Sequence, residues 1–220
     1  MTEITLVRHA QASFGAADYD VLSNLGHQQA RALGTSLAAQ GLKPVVAAIG
    51  EQRRHRETME GIEQGLGKAL PEPKILPGLN EFDSKGLVDA YLSTLAQDED
   101  LSDRKTHFRT LRAAVLAWQR GEVDDPPETW QAFARRVRLA RDVLAGAVGP
   151  VLAISSGGPI STMMAQTLDA AAEVQIQLQL QLKNCSVTRL IATRNGVYLH
   201  GFNETPHITK HNAAQMLTYS

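Results

Sequence analysis

The chain contains 220 residues, of which 43% are hydrophobic and 20% charged, with a net charge of −1. This composition allows one well-packed domain and gives no general basic field of the kind that attracts nucleic acids or anionic membranes. The lone Cys185 excludes an internal disulfide, the opening "MTEITLVRHA" lacks signal-peptide features, and no apolar run approaches the length of a membrane helix. We therefore expect a soluble cytoplasmic protein without nucleic-acid or membrane partners.

The first part of the chain predicts alternating strands and helices. Residues 4–8 and 45–50 are apolar and β-branched, which is typical of buried strands. Between them, apolar residues recur at helical spacing after Ser23, a candidate N-cap. A second helix is predicted over residues 52–66, and the Pro-rich residues 71–82 are expected to be extended. The order β-α-β-α favours a sheet of parallel strands with helices on both faces.

The second part of the chain predicts two further helices, over residues 106–121 and 126–149, with Pro127 near the start of the latter. The stretch "VLAIS" predicts another buried strand. Strict alternation in "EVQIQLQLQLKN", residues 173–184, favours an extended, half-buried segment, although its Gln and Leu residues also suit a helix. The pair Asn195-Gly196 lies between two β-rich runs and indicates a hairpin.

Two of the predicted strands end in residues suited to chemistry. Arg8-His9 follows the first strand, and "SSGGPI", residues 155–160, follows "VLAIS". If these strands are neighbours, both ends open onto one pocket. The two glycines allow backbone N–H groups to approach an anion, and Pro159 suits the first position of a new helix, whose N-terminus favours negative charge. The alternative is an ordinary strand–turn–helix junction. A serine-hydrolase elbow does not fit, because Ile154 occupies the first glycine position of that motif.

The pair Arg8-His9 has two interpretations. It is either a solvated strand end or a phosphate-binding arginine beside a nucleophile, since a neutral imidazole can attack phosphorus and a guanidinium matches phosphate oxygens. The basic run at residues 53–56 is likewise either a solvated helix face or a source of one arginine for the same pocket.

Taken together, these motifs resemble the histidine phosphatase superfamily, the phosphoglycerate-mutase-like proteins. The family has Arg-His-Gly after an apolar strand, then Leu-Thr/Ser-x-x-Gly-x-x-Gln-Ala, Ser-x-x-x-Arg-Ala-x-x-Thr, Leu-x-Glu, His-Gly-Gly after another apolar strand, and Asn-x-x-x-His-Leu. The matching stretches of this chain, in the same order, are Arg8-His9, residues 22–30, residues 50–58, "LNEFD", "VLAISSGGPI" and "FNETPHI". The resemblance covers nearly the whole chain.

The resemblance implies a three-layer α/β/α sandwich with a mostly parallel central sheet. It implies a single domain over residues 1–220, with a cap-like insertion at about residues 82–127 over the active site. It also implies hydrolysis of a small phosphomonoester through a phosphohistidine, without metal or cofactor, so that the partner is a small phosphorylated substrate or inorganic phosphate. The catalytic residues would be His9, the nucleophile, and Glu81, the general acid, and the phosphate-binding residues would be Arg8, Arg54, Ser156 and Gly157.

Three departures from the family pattern leave alternatives open. Ala10 replaces a glycine, Gly50 replaces a serine, and Ser156 stands where the family has a second pocket histidine. Losing one strong donor typically costs roughly 10²–10³ in rate. A weakened phosphatase, a catalytically inactive protein that binds a phosphorylated ligand, and a phosphoglycerate mutase all remain possible. Ser156→His should raise turnover unless another group has taken over the missing role, for which His55 is a candidate.

Overall fold

The computed structural model describes residues 1–13, 20–96 and 99–219. Within these residues, six strands form one sheet. The strands are β1 (Thr2–Arg8), β2 (Val46–Ile49), β3 (Lys74–Ile75), β4 (Val151–Ser155), β5 (Val187–Thr193) and β6 (Gly196–Glu204). Their order in the sheet is β3-β2-β4-β1-β5-β6, with β1 to β4 parallel and with antiparallel pairing of β1 with β5 and of β5 with β6.

Helices cover both faces of this sheet. Their bounds are α1 (Asn24–Ala39), α2 (Arg53–Leu66), α3 (Ser84–Thr94), α4 (Arg104–Arg120), α5 (Trp130–Ala145), α6 (Gly157–Thr167), α7 (Glu173–Gln179) and α8 (Ala213–Met216). A short 3₁₀ turn over Pro77–Leu79 follows β3. Among the described residues, no helix combines the length and apolarity needed to span a membrane.

The side chains of the strands divide between two hydrophobic cores, as the pleat of a sheet requires. Leu6 and Ala153 pack on one side with residues of α4, α5 and α6, such as Phe133. Val7 and Ile154 point to the opposite side and pack with residues of α1 and α2. The fold is therefore the predicted α/β/α sandwich with a mostly parallel sheet.

Most of the sequence-predicted elements are confirmed. Ser23 caps α1, since its Oγ accepts a hydrogen bond of 3.0 Å from the N–H of Gly26. The hairpin that Asn195-Gly196 predicts joins β5 and β6. Two proline positions differ from expectation. Helix α5 begins at Trp130 after the N-cap Thr129, beyond Pro127, and Pro159 is the third residue of α6 rather than the first.

The prediction of an extended segment over residues 173–184 is wrong, because residues Glu173–Gln179 form α7. The alternating pattern misleads at Gln175, which is fully buried although it is polar. Its amide is satisfied by hydrogen bonds with the side chains of Gln119, Ser161 and Gln179. Burial of this glutamine therefore follows from a hydrogen-bond network, which the period of hydrophobic residues does not report.

The packing of α1 against α2 gives a test of the fold. A Cβ added at Gly34 would overlap the carbonyl oxygen of Ile62, which is backbone and cannot move aside cheaply. We expect Gly34→Ala to lower the free energy of unfolding by about 1–3 kcal/mol or more, measured by urea titration with fluorescence of Trp118 and Trp130. Gly146→Ala is the matched control, because its Cβ would meet nothing closer than 3.4 Å. Equal stability of the two variants would contradict this helix contact.

Candidate active site

The parallel pairing of β1 with β4 places two chemistry-bearing strand ends side by side. Arg8 lies opposite Ser155 in the register of the sheet. The N–H of His9 then donates to the carbonyl of Ser155 at 2.9 Å, and the N–H of Ala10 donates to Thr58 Oγ1 at 3.0 Å. The backbone around His9 is therefore held by both β4 and α2, as the strand-end rule predicts for a pocket at this edge.

A cavity of about 850 Å³ opens at this edge of the sheet. Among the sequence-predicted residues, Arg8, His9, Arg54 and Glu81 line it. The rest of its wall comes from the residue before α2, from the start of α3 and the residues before it, from α4, from the region of α7 and from the C-terminal stretch. Those residues are Gln52, Phe82, Asp83, Ser84, Lys85, Arg104, His107, Phe108, Leu111, Gln179, Leu180, Leu182 and Tyr219.

His9 is nearly fully buried, and its Nδ1 lies 2.7 Å from the carbonyl oxygen of Ala10. A carbonyl only accepts, so Nδ1 carries the proton and Nε2 keeps its lone pair. Burial holds the pKa of His9 well below its usual value, and the charges of Arg54 and Arg8 and the nearby His55 lower it further. The side chain is thus a neutral imidazole with a defined tautomer at the wall of the cavity.

The basic run at the start of α2 is divided between the pocket and solvent. Arg54 is buried, whereas Arg53 and Arg56 are exposed. Arg54 Nη1 pairs with Asp20 Oδ1 at 2.7 Å, which helps to fix the guanidinium. Arg8 Nη1 donates to the carbonyl of Leu182. Two guanidinium groups are therefore held by protein contacts at the wall of one cavity.

Glu81 reaches the same cavity from the segment after the 3₁₀ turn. Its Oε2 accepts from the N–H of Gly158 at 3.0 Å, and its own N–H donates to Gln52 Oε1 at 3.0 Å. Burial raises the pKa of Glu81, and this outweighs the lowering by the Gly158 N–H, by Arg54 and by Arg8. A carboxyl group that keeps its proton at higher pH is suited to act as an acid.

Ser156 and Gly157 lie at the junction of β4 and α6, and both are buried. Ser156 Oγ lies 2.8 Å from His55 Nε2 and 3.5 Å from Arg54 Nη2, so its hydroxyl is engaged by protein groups. A Cβ at Gly157 would lie 3.8 Å from both Arg8 Nε and Glu81 Oε2. The start of α6 is therefore close to the arginine and to the acid.

Several residues of the site carry no sequence signal. Gln52 occupies a position that the motif over residues 50–58 leaves unspecified, and Asp20 is far along the chain from Arg54, which it binds. Gln179 and Leu182 fall in the segment that was expected to be extended. The polar and aromatic residues of α4 that line the cavity resemble any amphipathic helix. Within the described part of the chain, no group of three or more His, Cys, Asp or Glu side chains is placed to hold a metal ion.

Comparisons with known proteins assign the chain to a family and a fold. The family model of the histidine phosphatase superfamily, branch 1, matches residues 4–205. No curated protein sequence matches the chain significantly.

Solved structures show the same fold at low identity. Phosphoglycerate mutase from Bacillus anthracis superposes with a TM-score of 0.67 at 17% identity, over 94% of each chain. A mutant phosphoserine phosphatase from Entamoeba histolytica, in complex with phosphoserine, gives 0.65 at 16% identity over 95% of this chain and 100% of that one. A mycobacterial glucosyl-3-phosphoglycerate phosphatase with inorganic phosphate gives 0.65 at 20% identity over 94% and 99%.

These matches support a function of the phosphohydrolase or mutase type. The family model covers nearly the whole chain, and the fold is phosphoglycerate-mutase-like. The chain therefore belongs to the histidine phosphatase superfamily, branch 1.

Proposed function

We propose that this protein hydrolyses a phosphomonoester through a phosphohistidine on His9. The observation that carries the proposal is the state of His9, a neutral imidazole whose Nδ1 is bound to the Ala10 carbonyl. Its Nε2 is left for attack in a cavity that it shares with two arginines and a carboxyl group of raised pKa. Nucleophile, anion-binding groups and acid are the parts that phosphoryl transfer through a covalent intermediate needs.

In the first step, the lone pair of His9 Nε2 attacks phosphorus, and the bond from phosphorus to the ester oxygen breaks. The leaving alkoxide takes the proton of Glu81, which becomes a carboxylate. Arg8, Arg54 and the N–H of Gly157 hold the phosphoryl oxygens. Ser156 acts through the groups that it contacts, because its hydroxyl is buried against His55 and Arg54.

In the second step, a water molecule attacks phosphorus and gives its proton to the Glu81 carboxylate. The bond from His9 to phosphorus breaks, so that inorganic phosphate leaves and both side chains return to their starting states. The Ala10 carbonyl, which accepts from Nδ1–H, stabilises the positive charge of the phosphorylated ring between the two steps.

The organic part of the substrate would bind the outer walls of the cavity. The segment over residues 82–127 provides much of this surface, since Ser84, Lys85, His107 and Phe108 line it. We propose that this segment acts as a cap that determines which phosphomonoester enters. Its apolar side chains, together with Leu180 and Leu182, favour an ester with an apolar portion.

A catalytically inactive protein that binds a phosphorylated ligand is the competing function. It is favoured by one observation, that the group at position 156 is an uncharged serine held by a neutral histidine. A binding protein would keep the anion pocket but form no covalent intermediate. A mutase would form the intermediate and return the phosphoryl group to a second acceptor instead of water.

Glu81→Gln tests the covalent mechanism with p-nitrophenyl phosphate. The nitrophenolate leaves without an acid, so His9 should still be phosphorylated, whereas hydrolysis of the phosphohistidine should lack its base. We expect a burst of about one equivalent of nitrophenol, followed by turnover lowered by roughly 10²–10⁴, measured by stopped-flow absorbance.

The control is the double variant His9→Ala/Glu81→Gln. It should show no burst and no phosphoenzyme when the reaction is quenched in alkali, where phosphohistidine survives. If the wild-type protein binds phosphate but shows no activity, the hydrolase function is wrong and the binding function takes its place.

The pH dependence of activity should follow from the two shifted groups. Activity needs neutral His9, which is lost as pH falls through its lowered pKa, and protonated Glu81, which is lost as pH rises through its raised pKa. We therefore expect kcat/KM for an alkyl phosphomonoester to peak on the acidic side of neutrality, measured by phosphate release.

Glu81→Gln should lower that maximum and remove the alkaline limb. The substrate's own ionisation near pH 6 is common to both proteins and cancels in the ratio of their rates. An alkaline limb that persists unchanged in the variant would exclude Glu81 as the acid.

A further inference from the structure

A series of hydrogen-bonded, uncharged side chains lies against the cavity and connects the start of α2 with the junction of β4 and α6. His55 Nε2 is 2.8 Å from Ser156 Oγ, and Ser156 Oγ is 3.3 Å from Gln52 Oε1. His55 and Ser156 are fully buried, whereas Gln52 lines the cavity. The series thus leads from the interior of the protein to the surface that a ligand would touch.

The orientation of the Gln52 amide is fixed by its partners. The N–H of Glu81 donates to Gln52 Oε1, and a backbone N–H can only donate, so the amide oxygen must face Glu81. Ser156 also meets this oxygen and can donate to it. The amide nitrogen is then the other end of the group, and the structure shows no hydrogen bond from it to any residue that it describes.

The protons in the hydrogen-bonded series His55–Ser156–Gln52 can be assigned. If His55 carries its proton on Nε2, it donates to Ser156 Oγ, and the Ser156 hydroxyl donates to Gln52. The opposite tautomer would bury an N–H at Nδ1, which has no partner among the described residues, and an unpaired buried donor is costly. Burial and Arg54 lower the pKa of His55 to about 3, so the ring stays neutral at working pH.

Gly50 makes room for this arrangement. A Cβ at residue 50 would lie 2.6 Å from His55 Nδ1 and 2.9 Å from its Cε1, too close for any ordinary contact. The family motif quoted above has serine at position 50 and alanine at position 55, and this chain departs from it at both. The two departures are therefore sterically related: a side chain at residue 50 would overlap the His55 ring in its present position, and also Asn80 Oδ1.

We propose that the Gln52 side-chain N–H is a neutral donor to the phosphoryl group, held in place by His55 and Ser156. This inference rests on the proposed function, because it assigns a further binding residue to the same site. Gln52 touches the ligand, whereas His55 and Ser156 are positioning residues. Beside the acid Glu81, the phosphoryl group then meets two cationic donors, Arg8 and Arg54, and one uncharged side-chain donor in addition to the backbone N–H of Gly157.

Of the two outcomes that the sequence leaves open for Ser156→His, the inference selects the loss of activity. The new imidazole would need the space that His55 fills, only 2.8 Å from the present Ser156 oxygen, and would break the contact with Gln52. We expect turnover of p-nitrophenyl phosphate to fall by ten-fold or more. A rise in turnover would overturn the positioning role of His55.

The donor role is tested by binding of inorganic phosphate and of vanadate, measured by calorimetry. Gln52→Met keeps the size of the side chain but has no N–H, and we expect 10- to 100-fold weaker binding, the usual loss for a hydrogen bond to a charged group. Gln52→Glu should weaken binding further, since it turns the donor into a negative charge. Gln64→Met, an exposed site on α2, the helix that Gln52 precedes, should bind as the wild type does.

The positioning role is tested by a double-mutant cycle with Ser156→Ala, a small change that should not prevent folding. It should weaken phosphate binding three- to ten-fold alone, but less than two-fold in the Gln52→Met background. A general structural loss would weaken both backgrounds equally. His55→Gln, which can still donate to Ser156, should bind phosphate more tightly than His55→Ala, with melting temperatures measured for both.

The outcomes separate this inference from the proposed function. Wild-type protein that binds neither phosphate nor vanadate would overturn the proposed function, and this inference with it. Wild-type protein that binds and turns over substrate, with Gln52→Met binding equally well, would overturn only the donor role. Full additivity of Ser156→Ala and Gln52→Met would overturn the positioning role.

Discussion

The parallel pairing of β1 with β4 is the constraint on which the candidate site depends. It sets Arg8 opposite Ser155, so the residues that follow each strand leave the sheet at one edge. β2 pairs with β4 on its other side, with Ile49 opposite Ile154, and so delivers the start of α2 to the same place. Three segments separated by about forty to a hundred residues therefore converge because of the register of three strands, before any side chain makes a specific contact.

This convergence brings positively charged arginine side chains close together beside His9. Arg8 and Arg54 both line the cavity beside His9, and a guanidinium does not give up its proton in a protein. Their charges and burial together lower the pKa of His9, which keeps the imidazole available as a nucleophile. The same environment favours a proton on Glu81 only because its burial outweighs the nearby positive charge. Base and acid states thus follow from one buried, cationic environment.

The sequence predicts the strands and turns that build this site better than it predicts the side chains that line its cavity. Strand ends and cap residues are local features, so β1, β4 and the N-cap Ser23 are correctly predicted. The family resemblance points to Arg54 and Glu81, and both line the same cavity as His9. The failures are non-local. The alternation in residues 173–184 concealed α7, because the burial of Gln175 depends on partners in α4 and α6. Gln52 stands at an unspecified position of the motif over residues 50–58, so its place in the cavity wall follows only from three-dimensional contacts.

The uncharged series His55–Ser156–Gln52 behind the pocket is consistent with the same positive charge and burial. A third cation beside two buried arginines would have to overcome both desolvation and like-charge repulsion, and a histidine there would tend to lose its proton. His55 meets these conditions as a neutral ring, buried against Ser156 and accommodated by the missing side chain of Gly50. A hydrogen-bonded serine and glutamine can direct a donor toward an anion without adding charge. The serine at position 156 is then one part of a rearranged pocket wall, whose other parts lie about a hundred residues earlier in the chain.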